Sequence, residues 1–166
     1  MEEWKSIIDY DNYEISNFGN VRNIKTNQLL TPTINNNGYY RINLWKNNKY
    51  KTYLIHRLLA IEFIPNPNNY SLIDHIDRNP LNNKLDNLRW ANLSQNNYNR
   101  KYNNLTSKYR GVYWDKRKNK WGARISINRK SIFLGRYETE EEGALAYNNM
   151  VIFHNLQEFV ELNTLE

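Results

Sequence analysis

Four side chains able to do hydrolytic chemistry fall within Leu72–Arg100, LIDHIDRNPLNNKLDNLRWANLSQNNYNR: Asp74, His75, Asn87 and Asn96. A neutral imidazole can take a proton from water, because its ordinary pKa of about 6.5 lies near working pH. One hard divalent cation can steady the charge that develops on a leaving oxygen, and such a cation prefers oxygen ligands. Asp74 and the amide oxygen of Asn96 are ligands of that kind. Asn87 can bond the far ring nitrogen of His75 and fix its orientation. This set suits hydrolysis of a phosphodiester, with His75 and Asn87 as the catalytic pair and Asp74 and Asn96 as metal ligands for one Mg²⁺ or Mn²⁺.

The order of elements expected to position these residues is strand, loop, strand, helix. Leu72 and Ile73 lead an apolar run that ends at Asp74-His75, and the polar loop DRNPLNNKLD follows. Asn87-Leu88-Arg89-Trp90 reads as a second strand. Ser94 can cap a helix from Gln95 to about Lys101, since its hydroxyl can accept a free N–H of the first turn. The segment resembles the HNH nucleases with a ββα-metal fold, in the form found in phage and intron homing endonucleases. Asp74-His75, Ile76-Asp77-Arg78-Asn79, Asn82-Asn83, Asn87-Leu88-Arg89-Trp90 and Ser94-Gln95-Asn96-Asn97 carry the resemblance. It implies that His75 is the general base, Asn87 its orienter, and Asp74 with Asn96 the ligands of one ion. The third letter of the signature is met by an asparagine, Asn96, with Asn97 as the alternative.

Upstream, Tyr13-Glu14-Ile15 and Val21–Ile24 read as strands around an Asn17-Phe18-Gly19-Asn20 turn. Pro32 and Asn35–Gly38 mark the next break. Tyr39–Trp45 alternates with period two, placing Tyr40, Ile42 and Leu44 on one face and Arg41, Asn43 and Trp45 on the other. Lys46-Asn47-Asn48-Lys49 then turns the chain into Tyr50–Ile55. The pattern W…YEISNFGNVR resembles the amino-terminal module that often precedes HNH motifs in homing endonucleases, which implies a DNA-contacting sheet. Arg41, Asn43, Lys46 and Lys49 are its candidate contacts, on a ribbon of a size that fits a major groove. His56–Phe63 reads as a helix with Ile55, Leu58, Leu59 and Phe63 on one face, stopped by Pro65 and Pro67. This helix is expected to pack behind the nuclease hairpin. His56 opens it, where an imidazole more often packs than touches phosphate.

Asn103–Ser107 looks like a linker. From Lys108 to Arg136 there are ten Lys or Arg and one acid, Asp115, a local balance of +9. Such asymmetry marks a basic face. Tyr109–Trp114, Trp121–Asn128 and Ser131–Tyr137 read as three strands. Thr139 with Glu142 forms a T-x-x-E capping box that opens a helix through Phe153, with Ala144, Tyr147 and Val151 facing the sheet and His154 at its end. The region SKYRGVYWDKRKNKWGARI…IFLGRYETEEEGALAYN resembles the ERF/Apetala-type DNA-binding domain. The resemblance implies a three-stranded sheet in the major groove, with Arg110, Tyr113, Trp114, Lys116, Lys120, Trp121 and Arg124 as contacts. Tyr113 stands where the plant factors usually place an arginine, so their target preference does not carry over.

Composition agrees with a nucleic-acid partner. The 166 residues carry a net charge of +6, and aromatics, including thirteen Tyr and five Trp, must supply much of a modest core. Cysteine is absent, which excludes disulfides and Cys-ligated zinc. The start MEEWKSII lacks the basic region and apolar core of a signal peptide, and no run approaches a membrane span. A soluble, intracellular protein is expected, encoded by a virus or mobile element with an AT-rich genome. The fold class expected is α+β: a small N-terminal antiparallel sheet (1–55), a ββα-metal core (56–104), and a separate three-stranded sheet on one helix (105–166). The function expected is metal-dependent endonucleolytic cleavage of double-stranded DNA, leaving 5′-phosphate and 3′-hydroxyl ends. One motif per chain implies one nick per monomer. The rival readings are a DNA-binding regulator with an inactive motif and, more weakly, an RNA-binding protein.

Overall fold

Short apolar–polar alternations separated by asparagine- and glycine-rich turns give small antiparallel sheets rather than one large one. The computed structural model describes residues 1–100 and 106–165. It divides into two compact units, Met1–Asn92 and Leu93–Glu166. Among the described residues the fold is α+β, with four small antiparallel sheets and three α-helices.

The first unit opens with Trp4–Ile7 (β1), Tyr10–Ser16 (β2) and Val21–Asn23 (β3), paired in that order. The turn between β2 and β3 needs Gly19. Its φ is +84°, and a Cβ there would sit 3.1 Å from Ile55 Cγ2 and 3.3 Å from Leu59 Cδ1. Thr33–Ile34 (β4), Tyr40–Lys46 (β5) and Lys49–Leu54 (β6) form the second sheet. Asn47 and Asn48, both at positive φ, make the two-residue turn of the β5–β6 hairpin, the conformation that matches strand twist and that asparagine tolerates. As the alternation predicts, Ile42 and Leu44 are buried while Arg41, Asn43 and Trp45 are exposed.

Ile55–Phe63 (α1) follows directly. Its buried Ile55, Leu58 and Leu59 share one core with Ile7, Tyr13, Ile15, Val21, Ile42, Leu44 and Leu88. The helix therefore ties both N-terminal sheets to the next hairpin, Leu72–His75 (β7) with Leu88–Ala91 (β8). Asn87, expected to open the second strand, instead closes a 3₁₀ turn at Leu85–Asn87. Trp90 Nε1 donates to Ile64 O at 3.0 Å and fastens β8 to the chain leaving α1.

The second unit begins with Leu93–Tyr98 (α2). Ser94, expected before the helix as its cap, lies inside it. The expected helix end at Lys101 and the linker residues 103–105 lie outside the described residues. Val112–Asp115 (β9), Lys120–Ile127 (β10) and Lys130–Tyr137 (β11) form a sheet with β10 in the centre. Glu140–Phe153 (α3) opens on the complete Thr139–Glu142 capping box. Ile125, Tyr147, Val151 and Val160 form one cluster, onto which Tyr98 of α2 packs, and Tyr109, Val112 and Ala144 form another. Gly111 permits this packing: its φ is +80°, and a Cβ would overlap the Tyr147 ring. His154 is the C-cap residue of α3, its N–H donating to Met150 and Ile152 carbonyls.

Candidate active site and nucleic-acid faces

The end of β7 delivers Asp74 and His75 side by side, both buried. Antiparallel register places Arg89 of β8 directly across from Asp74. Its Nε and Nη2 both donate to Asp74 Oδ2, at 2.9 and 2.6 Å. A carboxylate held by two hydrogen bonds from one guanidinium is fixed in direction. Arg89 was not singled out from the sequence, although counting the pairing from the two strands leads to it.

The His75 ring meets Asn83, whose Oδ1 is 3.0 Å from Nε2. This corrects the expectation that Asn87 bonds the ring. Asn87 is buried, but its amide serves the loop. Oδ1 accepts from Asp77 N at 2.9 Å, and Nδ2 donates to Asp77 Oδ1 at 2.9 Å and to Asn82 O at 2.8 Å. Its backbone carbonyl accepts from Ile76 N at 2.8 Å. The reason is geometric: Asn87 ends the 3₁₀ turn facing the start of the loop, whereas Asn83, inside the loop, folds back over the ring. Asp77 organises the same loop, accepting also from Asn79 N and Asn82 Nδ2. What desolvation it meets pushes its carboxyl up, but the bonds from Asn82, Asn79 and Asn87 outweigh this and hold it below the ordinary range.

Two further rings close on His75. His56, in the first turn of α1, lies with its ring centroid 4.9 Å away at 71°, and Tyr39 lies 5.8 Å away. Tyr39 and His56 are themselves 5.0 Å apart. Burial pushes the His56 imidazole down to about 4, with smaller contributions from His75 and Arg57, so it is neutral at neutral pH. Asn96, the other expected metal ligand, is half-buried on α2, in the second unit.

Among the described residues no three His, Cys, Asp or Glu side chains converge into a metal-binding group. The donor chemistry at Asp74 is that of a hard cation: one fixed carboxylate, with the remaining positions left to amide, water or phosphate oxygens. That suits an ion such as Mg²⁺, which keeps several waters and takes only one or two carboxylates from the protein.

The basic faces expected for nucleic acid divide into open and occupied side chains. On β5, Arg41 and Asn43 are exposed. Arg41 Nε donates to Thr33 Oγ1, and Thr52 Oγ1 donates to Asn43 Oδ1 across the hairpin. Trp45 and Tyr50, 53 and 58% exposed and paired across the same hairpin, lie tilted against each other with ring centroids 5.2 Å apart. Lys49 is exposed in the hairpin, whereas Lys46 donates to Asp9 O at 2.6 Å. In the second unit Arg124 and Lys116 are exposed, and Arg124 stacks on Tyr113, which lies over Gly122. Lys120 pairs with Glu138. Trp114 and Trp121 pack edge to face, and Trp121 also lies against the Tyr109–Val112–Ala144 cluster. Arg110 departs from the expectation of an open contact. Its Nη2 donates to Tyr98 O at 2.5 Å, tying α2 to the sheet. Phe133 and Arg136 were missed. They share the exposed face with Arg124, the Arg136 guanidinium lying 5.0 Å over the Phe133 ring. Arg136 also bonds Asp115 and holds that carboxyl below its ordinary range.

Comparison with known proteins gives this arrangement its class. Residues 2–45 match the NUMOD4 motif and residues 53–98 match the HNH endonuclease family. The two matches follow one another along the chain, the hairpin β7–β8 falling inside the second. It is similar to the DNA endonuclease I-HmuI of Bacillus phage SP01, 43% identical over 90 residues that span 54% of this chain and 52% of that protein. It is also similar to an uncharacterised HNH endonuclease, L245, of Acanthamoeba polyphaga mimivirus, 46% identical over 96 residues, 58% of this chain and 29% of that protein. The solved structure of DNA binding and cleavage by the HNH homing endonuclease I-HmuI matches with a TM-score of 0.52 and 42% identity, covering 57% of this chain and 55% of that one. The chain therefore spans about half or less of the length of these relatives.

Proposed function

We propose that this chain is a metal-dependent HNH DNA endonuclease of the homing type, hydrolysing a phosphodiester of double-stranded DNA to 5′-phosphate and 3′-hydroxyl ends. The observation that carries this reading is the buried Asp74–His75 step at the end of β7, with His75 Nε2 on Asn83 Oδ1, inside the HNH match. An amide oxygen only accepts, so the neutral ring carries its proton on Nε2 and its lone pair on Nδ1. Nδ1 takes a proton from water. The water oxygen bonds to phosphorus as the bond from phosphorus to O3′ breaks, and the departing oxygen is protonated from solvent. Asp74 and Asn96, with Asn97 as the alternative, would be the residues to hold one Mg²⁺ or Mn²⁺. When bound, that ion stabilises charge on the leaving oxygen. Arg89 aims the Asp74 carboxylate, and Asn87 acts on His75 only through the loop that it staples.

Three functional modules follow from this reading: a DNA-contacting sheet (1–55), the nuclease core (56–104) and an ERF/Apetala-type domain (105–166). Supporting the last is a three-stranded antiparallel sheet with α3 on one face and Arg124, Phe133 and Arg136 exposed. Supercoiled plasmid incubated with Mg²⁺, with and without chelator, tests the activity. Nicked circles should appear only with the metal. His75→Ala and Asp74→Ala should each lower the rate at least 10²-fold, the scale of general-base catalysis being about 10²–10⁴. Cleavage at the wild-type rate by either variant removes the assigned roles, and tight DNA binding without cleavage leaves a regulator.

A further inference from the structure

His56 is only 6% exposed, yet its Nδ1 is buried without a hydrogen-bond partner, alone in this among side-chain atoms of the described residues. A buried polar atom left unpaired lowers stability, so such an atom in a native site calls for an explanation. A leucine or phenylalanine would fill the same place at the start of α1 without that loss. The imidazole packs edge to face with the His75 ring at 4.9 Å, and Tyr39 contacts both rings. Asn83 Oδ1 meets His75 Nε2 at 3.0 Å, a bond whose geometry depends on the plane of the ring. Flat aromatic neighbours restrict rotation of that plane, and edge-to-face contacts are the geometry in which ring quadrupoles attract. Burial keeps His56 uncharged at neutral pH, so it adds a wall beside the base without adding a competing positive charge.

We propose that His56 is a positioning residue, an aromatic wall that, with Tyr39, holds the plane of the His75 imidazole so that Asn83 keeps the proton on Nε2. This rests on His75 being the general base. The test uses the full chain with His56→Phe and His56→Leu, which both remove the unpaired nitrogen and fill similar volumes, but only the first keeps a ring. Nicking of supercoiled plasmid with Mg²⁺ gives kcat and KM. Long-range ¹H–¹⁵N spectra of the histidine side chains report the His75 tautomer without requiring activity, and thermal melts report the fold. We expect both variants to melt at or above the wild-type temperature. His56→Leu should lose about tenfold or more in kcat, a loss on the scale of small misplacements of reacting groups. Its KM should be unchanged, and its His75 signals should move from one tautomer towards a mixture. His56→Phe should recover kcat to within about threefold and restore the single-tautomer pattern. Equal kcat and equal spectra in the two variants, whether high or low, overturn the proposal. Should the wild type fail to nick, the nuclease reading fails, while the spectra still decide whether the wall orders His75.

Discussion

At the scale of single residues, the geometry around His75 assigns distinct tasks to chemically similar side chains. Asn83 takes the ring nitrogen and Asn87 the loop, so the two carboxamides should fail differently when altered. Asn83→Leu removes the acceptor that selects the tautomer, and kcat should fall about 10- to 100-fold, with a lower melting temperature because the buried Nε2–H loses this partner. Steady-state nicking kinetics beside a thermal melt check this. His56 makes a second, pH-linked prediction. Below the ordinary imidazole pKa of about 6.5 the unfolded chain protonates this side chain, whereas the folded chain resists until about 4. The unfolded state therefore binds more protons in this window, and folding stability contributed by His56 is lost as pH falls through it, by on the order of 3 kcal/mol. Urea unfolding at pH 7 and pH 4.5 should show His56→Phe losing less stability on acidification than wild type. Equal losses would show that the ring is not held neutral.

At the scale of elements, the β7–β8 connection keeps its shape through side chains rather than through a tight turn. Asn87 and Asp77 bond each other and, between them, the backbone of Asp77, Asn79 and Asn82. Asn87→Ala should cost about 1–3 kcal/mol, since it removes three part-buried hydrogen bonds, to Asp77 N, Asp77 Oδ1 and Asn82 O. It should also slow nicking, because the end of β7 that carries His75 loosens. Denaturant unfolding and single-turnover cleavage measured on the same preparation would check both effects. In the second unit the Thr139–Glu142 capping box opens α3. Thr139→Ala should lower the stability of that unit by about 1 kcal/mol while the chemistry at His75 is untouched.

At the scale of the whole molecule, the net charge of +6 is concentrated in the +9 stretch from Lys108 to Arg136. No helix of the described residues is long and apolar enough to cross a membrane. If about five phosphates are neutralised on binding, log affinity should fall with log salt at a slope near −4 to −5. Replacing the exposed Arg124 and Lys116 by alanine should make that slope shallower by about 2, whereas Arg110→Ala should act mainly on stability, because its guanidinium ties α2 to the sheet. Fluorescence anisotropy across a salt series distinguishes the two results, and an unchanged slope for the double variant would place the phosphate contacts elsewhere.

Much of this molecule was legible from local rules. Period-two alternation in Tyr40–Lys46, the Asn47-Asn48 turn, the Thr139 capping box, and the Asp74-His75 strand end each depend on residues a few positions apart, where sequence and geometry are tightly coupled. The strand–loop–strand–helix order of the chemistry was readable for the same reason. Which side chain meets the His75 ring was not: Asn83 and Asn87 are both within reach in sequence, and only the path of the loop chose between them. The same holds for Arg89, whose pairing with Asp74 follows from sheet register, and for His56, nineteen positions before His75, which reaches it only because α1 packs behind the hairpin. Arg110 and Trp121 looked open in a basic stretch until the sheet, α2 and α3 surrounded them. Composition and short-range pattern determined what chemistry and what partner this protein is equipped for. The tertiary fold decided which groups face one another, because contacts between distant segments depend on packing that no short window of sequence contains.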